Sequence, residues 1–188
     1  MLQLPGGFPE VFPLFSEAEV EDAVTGVARQ INKKLAAKNP LVITLLNGGV
    51  VFSGKLLPQL TFPLQQDYLH ATRYRDATTG SQLQWHARPR SSLLGRTVLL
   101  LDDIYDLGFT LEAVFNFCVE QGAAGVYSAV LVRKNFDEKP AGGIAGYQPD
   151  FAGLKCGDEF VIGSGMDYRG FGRNIPGIYA VRMESENE

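Results

Sequence analysis

Three carboxylates, a glycine and a hydroxyl share one short stretch of this 188-residue chain: Asp102, Asp103, Asp106, Gly108 and Thr110. The residues before them, Val98-Leu99-Leu100-Leu101, are all apolar, which is the signature of a strand covered on both faces. The pattern predicts that the strand ends at the acidic pair and that a short turn carries Asp106 and Gly108 into a helix. Leu111, Val114, Phe115, Cys118 and Val119 recur at i, i+3, i+4, i+7 and i+8, the apolar stripe of that helix. The carboxyl end of a parallel strand opening onto a helix N-terminus is where open α/β sheets bind ligands. Backbone N–H groups and the helix dipole suit that point to a phosphate. Carboxylates just ahead of such a site would repel a bare anion, so sugar hydroxyls or a divalent cation are their natural partners.

The elements that must hold this stretch alternate along the chain. Ser16 followed by Glu19 forms a capping box. Val20, Val24, Val27, Ile31 and Leu35 then line one face of a helix over 17–38. Leu41 to Leu46 is a buried strand, Asn47-Gly48-Gly49 a turn, and a second helix runs to about Gln59. Asp67 to Tyr74 is a strand, with Leu83 to Ala87 as its hairpin partner beyond a polar stretch. Gly125 to Arg133 is another strand. Strands alternating with helices predict an α/β fold with a mostly parallel sheet and helices on both faces. The C-terminal third is glycine-rich and aromatic, with short strands near Phe160 and Tyr179, and predicts a small lobe over the sheet's edge.

Bulk properties exclude several classes. A hydrophobic content of 45% supports a full core in one domain spanning 1–188. No apolar run approaches the ~20 residues of a membrane span, and MLQLPGGFPEVF lacks the basic and apolar segments of a signal peptide. A net charge of −4 and a pI near 5.3 speak against a nucleic-acid surface. Cys118 and Cys156 form no CxxC, and Cys118 falls on the apolar helix face, so a reduced, buried thiol is expected. These features predict a cytoplasmic protein whose partners are small molecules, neither nucleic acid nor membrane. Residues 184–188 read as a disordered tail.

The stretch Thr97 to Val114 resembles the substrate motif of the type I phosphoribosyltransferases, which use phosphoribosyl pyrophosphate (PRPP). Their pattern is a hydrophobic strand, two acidic residues, two mostly apolar residues, then Asp-Thr-Gly-x-Thr. Here that last part reads Asp106-Leu107-Gly108-Phe109-Thr110. The resemblance implies that Asp102 and Asp103 hold the ribose hydroxyls and that Asp106, Leu107, Gly108, Phe109 and Thr110 wrap the 5-phosphate of PRPP.

Further segments, in the same order, resemble the hypoxanthine-guanine phosphoribosyltransferases. Leu46-Asn47-Gly48-Gly49 stands where that family has Leu-Lys-Gly-Gly, a loop with a cis non-proline peptide whose amides face pyrophosphate. Leu131-Val132-Arg133-Lys134 matches an aliphatic run ending in a lysine that donates to the purine 6-oxo group. Tyr147 to Gly153 matches Y-x-P-D-F-x-G, and Phe160 to Tyr168 matches a Phe-Val-Val-Gly-x-x-Leu-Asp-Tyr stretch followed by an arginine, here Arg173.

By that register Phe160 stacks on the purine, Val161 reaches it through its backbone, and Met166 covers the other side. Lys134 reads the 6-oxo group, and Asp167 lies near purine, metal and pyrophosphate. Asn47, Gly48, Arg73 and Arg173 face pyrophosphate, and Asp106 acts as the base. The cofactor implied is Mg2+, held by Asp102, Asp103 and Asp167.

The implied fold is a core of about 17–140 with a hood built from about 1–16 and 141–183. The resemblance also implies a homo-oligomer, dimer or tetramer, and a loop over 72–84 that closes on the substrates. Asn47 for lysine, Leu107 for threonine and Phe109 for lysine depart from the family, and two of these remove positive charge near anionic groups. Thr72-Arg73-Tyr74-Arg75 replaces a Ser-Tyr pair and brings two arginines that could compensate. The activity implied is purine salvage, transfer from PRPP to hypoxanthine or guanine. A nucleotide-sensing regulator on the same fold and a phosphoacceptor receiver domain are the rival readings. The receiver fits poorly, because its acceptor Asp comes from a later strand.

Overall fold

The computed structural model describes residues 8–73, 83–135 and 146–182. Its centre is a six-stranded sheet, ordered β4-β3-β2-β5-β6-β7, in which every pair is parallel except β3 with β4. The strands are β2 (Leu41–Leu46), β3 (Gln65–Arg73), β4 (Leu83–Ala87), β5 (Thr97–Tyr105), β6 (Gly125–Lys134) and β7 (Phe151–Cys156). Both faces are covered, which explains the uninterrupted apolar runs. Val42, Leu99, Leu101, Ala129 and Leu131 pack beneath α1 (Glu17–Leu35) and α2 (Gly49–Leu56). Leu41, Ile43, Leu45, Val98, Leu100 and Val130 pack on the other side against α3 (Phe109–Glu120). A run alternating between two apolar layers has no polar position to spare.

α1 begins as the capping box predicts: Ser16 Oγ accepts from Glu19 N–H at 3.3 Å, and Ser16 N–H donates to Glu19 Oε2 at 2.8 Å. Single-turn 3-10 segments, Ala36–Lys38 and Leu57–Gln59, extend α1 and α2 to the lengths read from sequence. A separate antiparallel sheet of β1 (Val11–Phe15), β9 (Ile178–Val181) and β8 (Phe160–Ile162) makes the hood. Both cysteines are free, and burial pushes the Cys118 thiol up to about 12. No helix among the described residues is long and apolar enough to cross a membrane.

The structure differs from the sequence reading in four places. β5 does not stop at the acidic pair; it runs through it to Tyr105, pairing with β6 as far as Tyr105↔Arg133. Asp102 and Asp103 therefore alternate across the strand instead of ending it. The stretch from 141 onward is not all hood, because β7 joins β6 and completes the central sheet. Leu111, Val114 and Cys118 are buried as expected, but Val119 is exposed, so the stripe of α3 is narrower than its sequence suggests. β1, unforeseen in a segment containing Pro13, sits at the hood's edge, where a proline removes no needed hydrogen bond. Most of the expected closing loop 72–84, the end of the Asp67–Tyr74 strand and the 184–188 tail lie outside the described residues.

Candidate active site

The carboxyl end of β5 places the acidic pair at the mouth of the sheet. Asp102 Oδ1 accepts from Asp103 N–H at 3.0 Å, and Asp103 Oδ1 accepts from Ile104 N–H at 2.9 Å. Burial pushes both carboxyls above the usual carboxylate range, and the charge of Asp103 adds to the effect at Asp102. Arg173 opposes the shift, with its Nη1 4.0 Å from Asp103 Oδ2. Buried carboxylates with so little compensation gain from hydroxyl donors or a cation.

The turn beyond β5 opens α3 without a side-chain cap. Its N-cap is Gly108, with φ at +82°. A Cβ there would enter the ring of Tyr105, so close approach and backbone conformation both require glycine. Tyr105 is itself fixed: its hydroxyl donates to the Tyr147 carbonyl at 2.8 Å and accepts from Gln148 Nε2 at 2.7 Å. Among the described residues Asp106 makes no capping bond to α3. It pairs instead with Lys134, whose Nζ lies 3.3 Å from Asp106 Oδ1.

The facing wall comes from the β2–α2 turn and the hood. The Leu46–Asn47 peptide is cis, as the resemblance implies. Gly48 lies so near Asp103 that a Cβ would collide with its carboxylate, and a Cβ on Gly49 would stand 2.8 Å from the Leu101 carbonyl. From the hood, Gly165 presses against the Gly48 carbonyl. Arg173 Nη1 donates to the Gly165 carbonyl at 2.7 Å, and its Nη2 pairs with Asp167. Asp167 also accepts from Gly170 N–H at 2.6 Å.

Between these walls lies a cleft of about 510 Å³. It gathers Asn47, Gly48, Asp102, Asp103, Asp106, Leu107, Gly108, Phe109, Thr110, Asp167 and Arg173, all singled out from sequence. Lys134 adjoins it through Asp106; its side chain is 10% exposed, and Nζ also lies 3.4 Å from the Asp158 carbonyl. The other purine-side residues do not line the cleft. Phe160 is 39% exposed and stands edge-on to Tyr168, with ring centroids 5.7 Å apart. Val161 and Met166 are buried and join the core beneath α1. Arg73 ends β3, and its side chain lies outside the described residues, as does Arg75.

His70 and Ile104 line the cleft and escaped the sequence reading; Thr72 and Leu111, read there only in the closing loop and in the α3 stripe, line it too. The period-2 alternation of β3 was the available signal: Leu69 and Ala71 are buried, so His70 and Thr72 face the other way.

No three His, Cys, Asp or Glu side chains among the described residues converge to hold a metal. Asp102, Asp103 and Asp167 are thus not a cage by themselves. Two adjacent carboxylates do match Mg2+, which keeps few protein ligands and takes the rest from water and substrate phosphates.

Residues 14–169 match the phosphoribosyl transferase domain family. The chain belongs to that family. This phosphoribosyltransferase is 29% identical over 172 residues to a hypoxanthine-guanine phosphoribosyltransferase of Streptococcus pneumoniae, covering 91% of this chain and 93% of that one. Among solved structures, a hypoxanthine phosphoribosyltransferase from Staphylococcus aureus superposes with a TM-score of 0.82 at 25% identity, over 91% of each chain. One from Trypanosoma cruzi gives 0.82 at 27% identity, over 93% of this phosphoribosyltransferase and 96% of its own length. The type I fold and the resemblance to hypoxanthine-guanine enzymes are both borne out.

Proposed function

We propose that this phosphoribosyltransferase moves the 5-phosphoribosyl group from PRPP to hypoxanthine or guanine, releasing pyrophosphate and giving IMP or GMP. The observation that carries the reading is the convergence on one cleft of a buried acidic pair, an uncapped helix start and an arginine. Asp102 and Asp103 accept hydrogen bonds from the ribose hydroxyls. The first turn of α3, from Gly108 to Thr110, receives the 5-phosphate. Asn47, Gly48 and Arg173 take pyrophosphate, the arginine with a planar, permanently charged fork; Arg73 is assigned there too.

At the base site, Lys134 donates to the purine 6-oxo group and Phe160 stacks on the ring, with Val161 and Met166 beside it. Asp106 accepts the N7 proton as N9 attacks the anomeric carbon. Asp102, Asp103 and Asp167, together with substrate oxygens, would hold Mg2+, which when bound would supply charge neutralisation for the departing pyrophosphate. The same reading makes the chain a single domain, a homo-oligomer of the dimer or tetramer type, and a cytoplasmic enzyme with no nucleic-acid or membrane partner. The relatives named above are transferases, which favours chemistry over the regulatory alternative. A spectrophotometric assay with PRPP, Mg2+ and each of hypoxanthine, guanine and xanthine tests it. Turnover of hypoxanthine or guanine is expected, and no turnover of any of the three overturns it.

A further inference from the structure

The cleft is lined by four carboxylates, Asp102, Asp103, Asp106 and Asp167, yet the transfer proposed above brings it a phosphate and a pyrophosphate. Among the described lining residues two groups can carry positive charge, Arg173 and His70. Arg173 is already committed to Asp167 and the Gly165 carbonyl.

His70 is placed differently. It stands on β3 directly beside Leu46, in register with the residue that opens the Asn47–Gly48 turn. Its neighbours Leu69 and Ala71 are buried against the α3 side of the sheet, so strand alternation sends His70 and Thr72 to the cleft.

The ring of His70 packs against that of His86 on β4, with centroids 4.6 Å apart and planes tilted by 40°. His86 Nε2 is engaged, 2.9 Å from Thr72 Oγ1. Among the described residues His70 has no hydrogen-bond partner of its own. The chain has two histidines in all, and they stand in contact, with His70 lining the cleft. An ordinary edge-strand residue would account for one of them facing solvent. It would not account for an unpartnered imidazole held by its neighbour at the point where Asn47 lacks a charge.

We propose that His70 binds the pyrophosphate group of PRPP, donating a ring N–H to a phosphate oxygen and, when protonated, a positive charge that Asn47 does not provide. The assignment rests on the cleft being a PRPP site. An imidazole is a directional donor well suited to a phosphate oxygen, and its charge responds to the anion beside it.

The test is calorimetric titration of the full chain with pyrophosphate and Mg2+, and separately with IMP, for the wild type, His70→Phe and His70→Ala. Phe keeps the ring's bulk and Ala removes it, neither can donate a hydrogen bond, and thermal melts verify that both variants fold. Pyrophosphate affinity is expected to fall at least about tenfold, the size of one hydrogen bond to a charged group. IMP affinity should stay within about twofold, because IMP carries no pyrophosphate. The KM for PRPP should rise in parallel with the pyrophosphate loss.

Unchanged pyrophosphate affinity overturns the role, and so does an equal loss for pyrophosphate and IMP. A wild type that turns over no purine, with pyrophosphate affinity lost in His70→Phe, would overturn the transfer reaction and leave His70 standing. A wild type that turns over hypoxanthine, with variants that bind pyrophosphate unaltered, would do the reverse.

Discussion

Lys134 and Asp106, assigned to opposite ends of the purine chemistry, are ion-paired with each other at 3.3 Å on the edge of the cleft. The lysine is almost wholly covered, while the aspartate is half exposed, so the pair joins a buried strand end to the loop that opens α3. A purine that takes the lysine's proton donors must share it with Asp106. The two residues therefore act as a unit.

Replacing Asp106 by asparagine keeps the loop's shape and removes the proton acceptor. Turnover should fall ~10²- to 10⁴-fold, the usual share of a general base, with little change in PRPP affinity. Because the partners touch, Asp106→Asn and Lys134→Ala should together cost clearly less than the sum of the two single effects. Steady-state rates of the four proteins in the cycle measure this, and strict additivity would separate the two roles.

In the proposed reaction Lys134 also decides which purines are accepted. Hypoxanthine and guanine both present an acceptor at the 6 position, whereas adenine presents a donor and leaves a nearly buried ammonium unpaired. Sites built on such a pairing discriminate by ~10⁴-fold or more, so adenine should support negligible turnover. Lys134→Ala should weaken 6-oxopurine use without conferring adenine use. Comparable wild-type rates for adenine and hypoxanthine would remove the lysine from this role.

The acidic motif was legible because physics leaves few choices there: a strand with both faces covered must be apolar, and its polar residues must come at its mouth. Where the strand stops was not legible. Asp102 and Asp103 read as the strand's end, but β6 continues beside them to Tyr105 and supplies the ladder. β7 was hidden for a similar reason. Phe151-Ala-Gly-Leu-Lys-Cys156 is short and contains a glycine, and a Cβ on that Gly153 would stand 2.8 Å from the Leu131 carbonyl, a close approach made only in the assembled sheet. The phosphate side of the site followed from its motif, whereas His70 belongs to no motif and Thr72 was read only in the closing loop. They enter the cleft only because β3 lies next to β2.

The buried acidic pair costs stability at neutral pH. Burial, reinforced by the charge of Asp103, raises the Asp102 carboxyl well above its unfolded value. Its contribution to stability is full below the unfolded pKa of ~3.9 and is lost as pH rises through the raised folded value. Asp102→Asn should therefore melt higher than wild type at pH 7 without magnesium or substrate, and the gap should close as pH falls toward about 4. The same variant should lose PRPP affinity, because an amide is a poorer acceptor for the ribose hydroxyls. Melting curves across pH check the first part, and a lower melting point at pH 7 would contradict it.

Asp67 behaves in the opposite sense. Burial works to raise its carboxyl, but N–H donors of Ser91, Tyr68 and Arg90, at 2.8, 2.8 and 2.9 Å, outweigh burial and lower it. The stability it supplies is present above the unfolded pKa of ~3.9 and is lost as pH falls through the lowered folded value. Asp67→Asn should cost about 1–3 kcal/mol at pH 7 in urea unfolding, and less at lower pH as the wild type loses its own advantage. Purine turnover per folded molecule should change little, since Asp67 fastens β3 to the 90–91 segment and does not line the cleft.

The hood joins strands from distant parts of the chain: Val11 pairs with Val181, Arg182 N–H donates to the Glu10 carbonyl at 2.9 Å, and the two side chains form an ion pair at 2.7 Å. During synthesis, residues 11–15 emerge first and have no partner until 178–181 follow. The β5–α3 phosphate cradle can form while the ribosome is still adding the hood. The acidic pair and the start of α3 are thus complete in sequence well before the hood can close over them. Release of a chain stopped short of Ile178 would leave β1 an unpaired edge exposed to other chains.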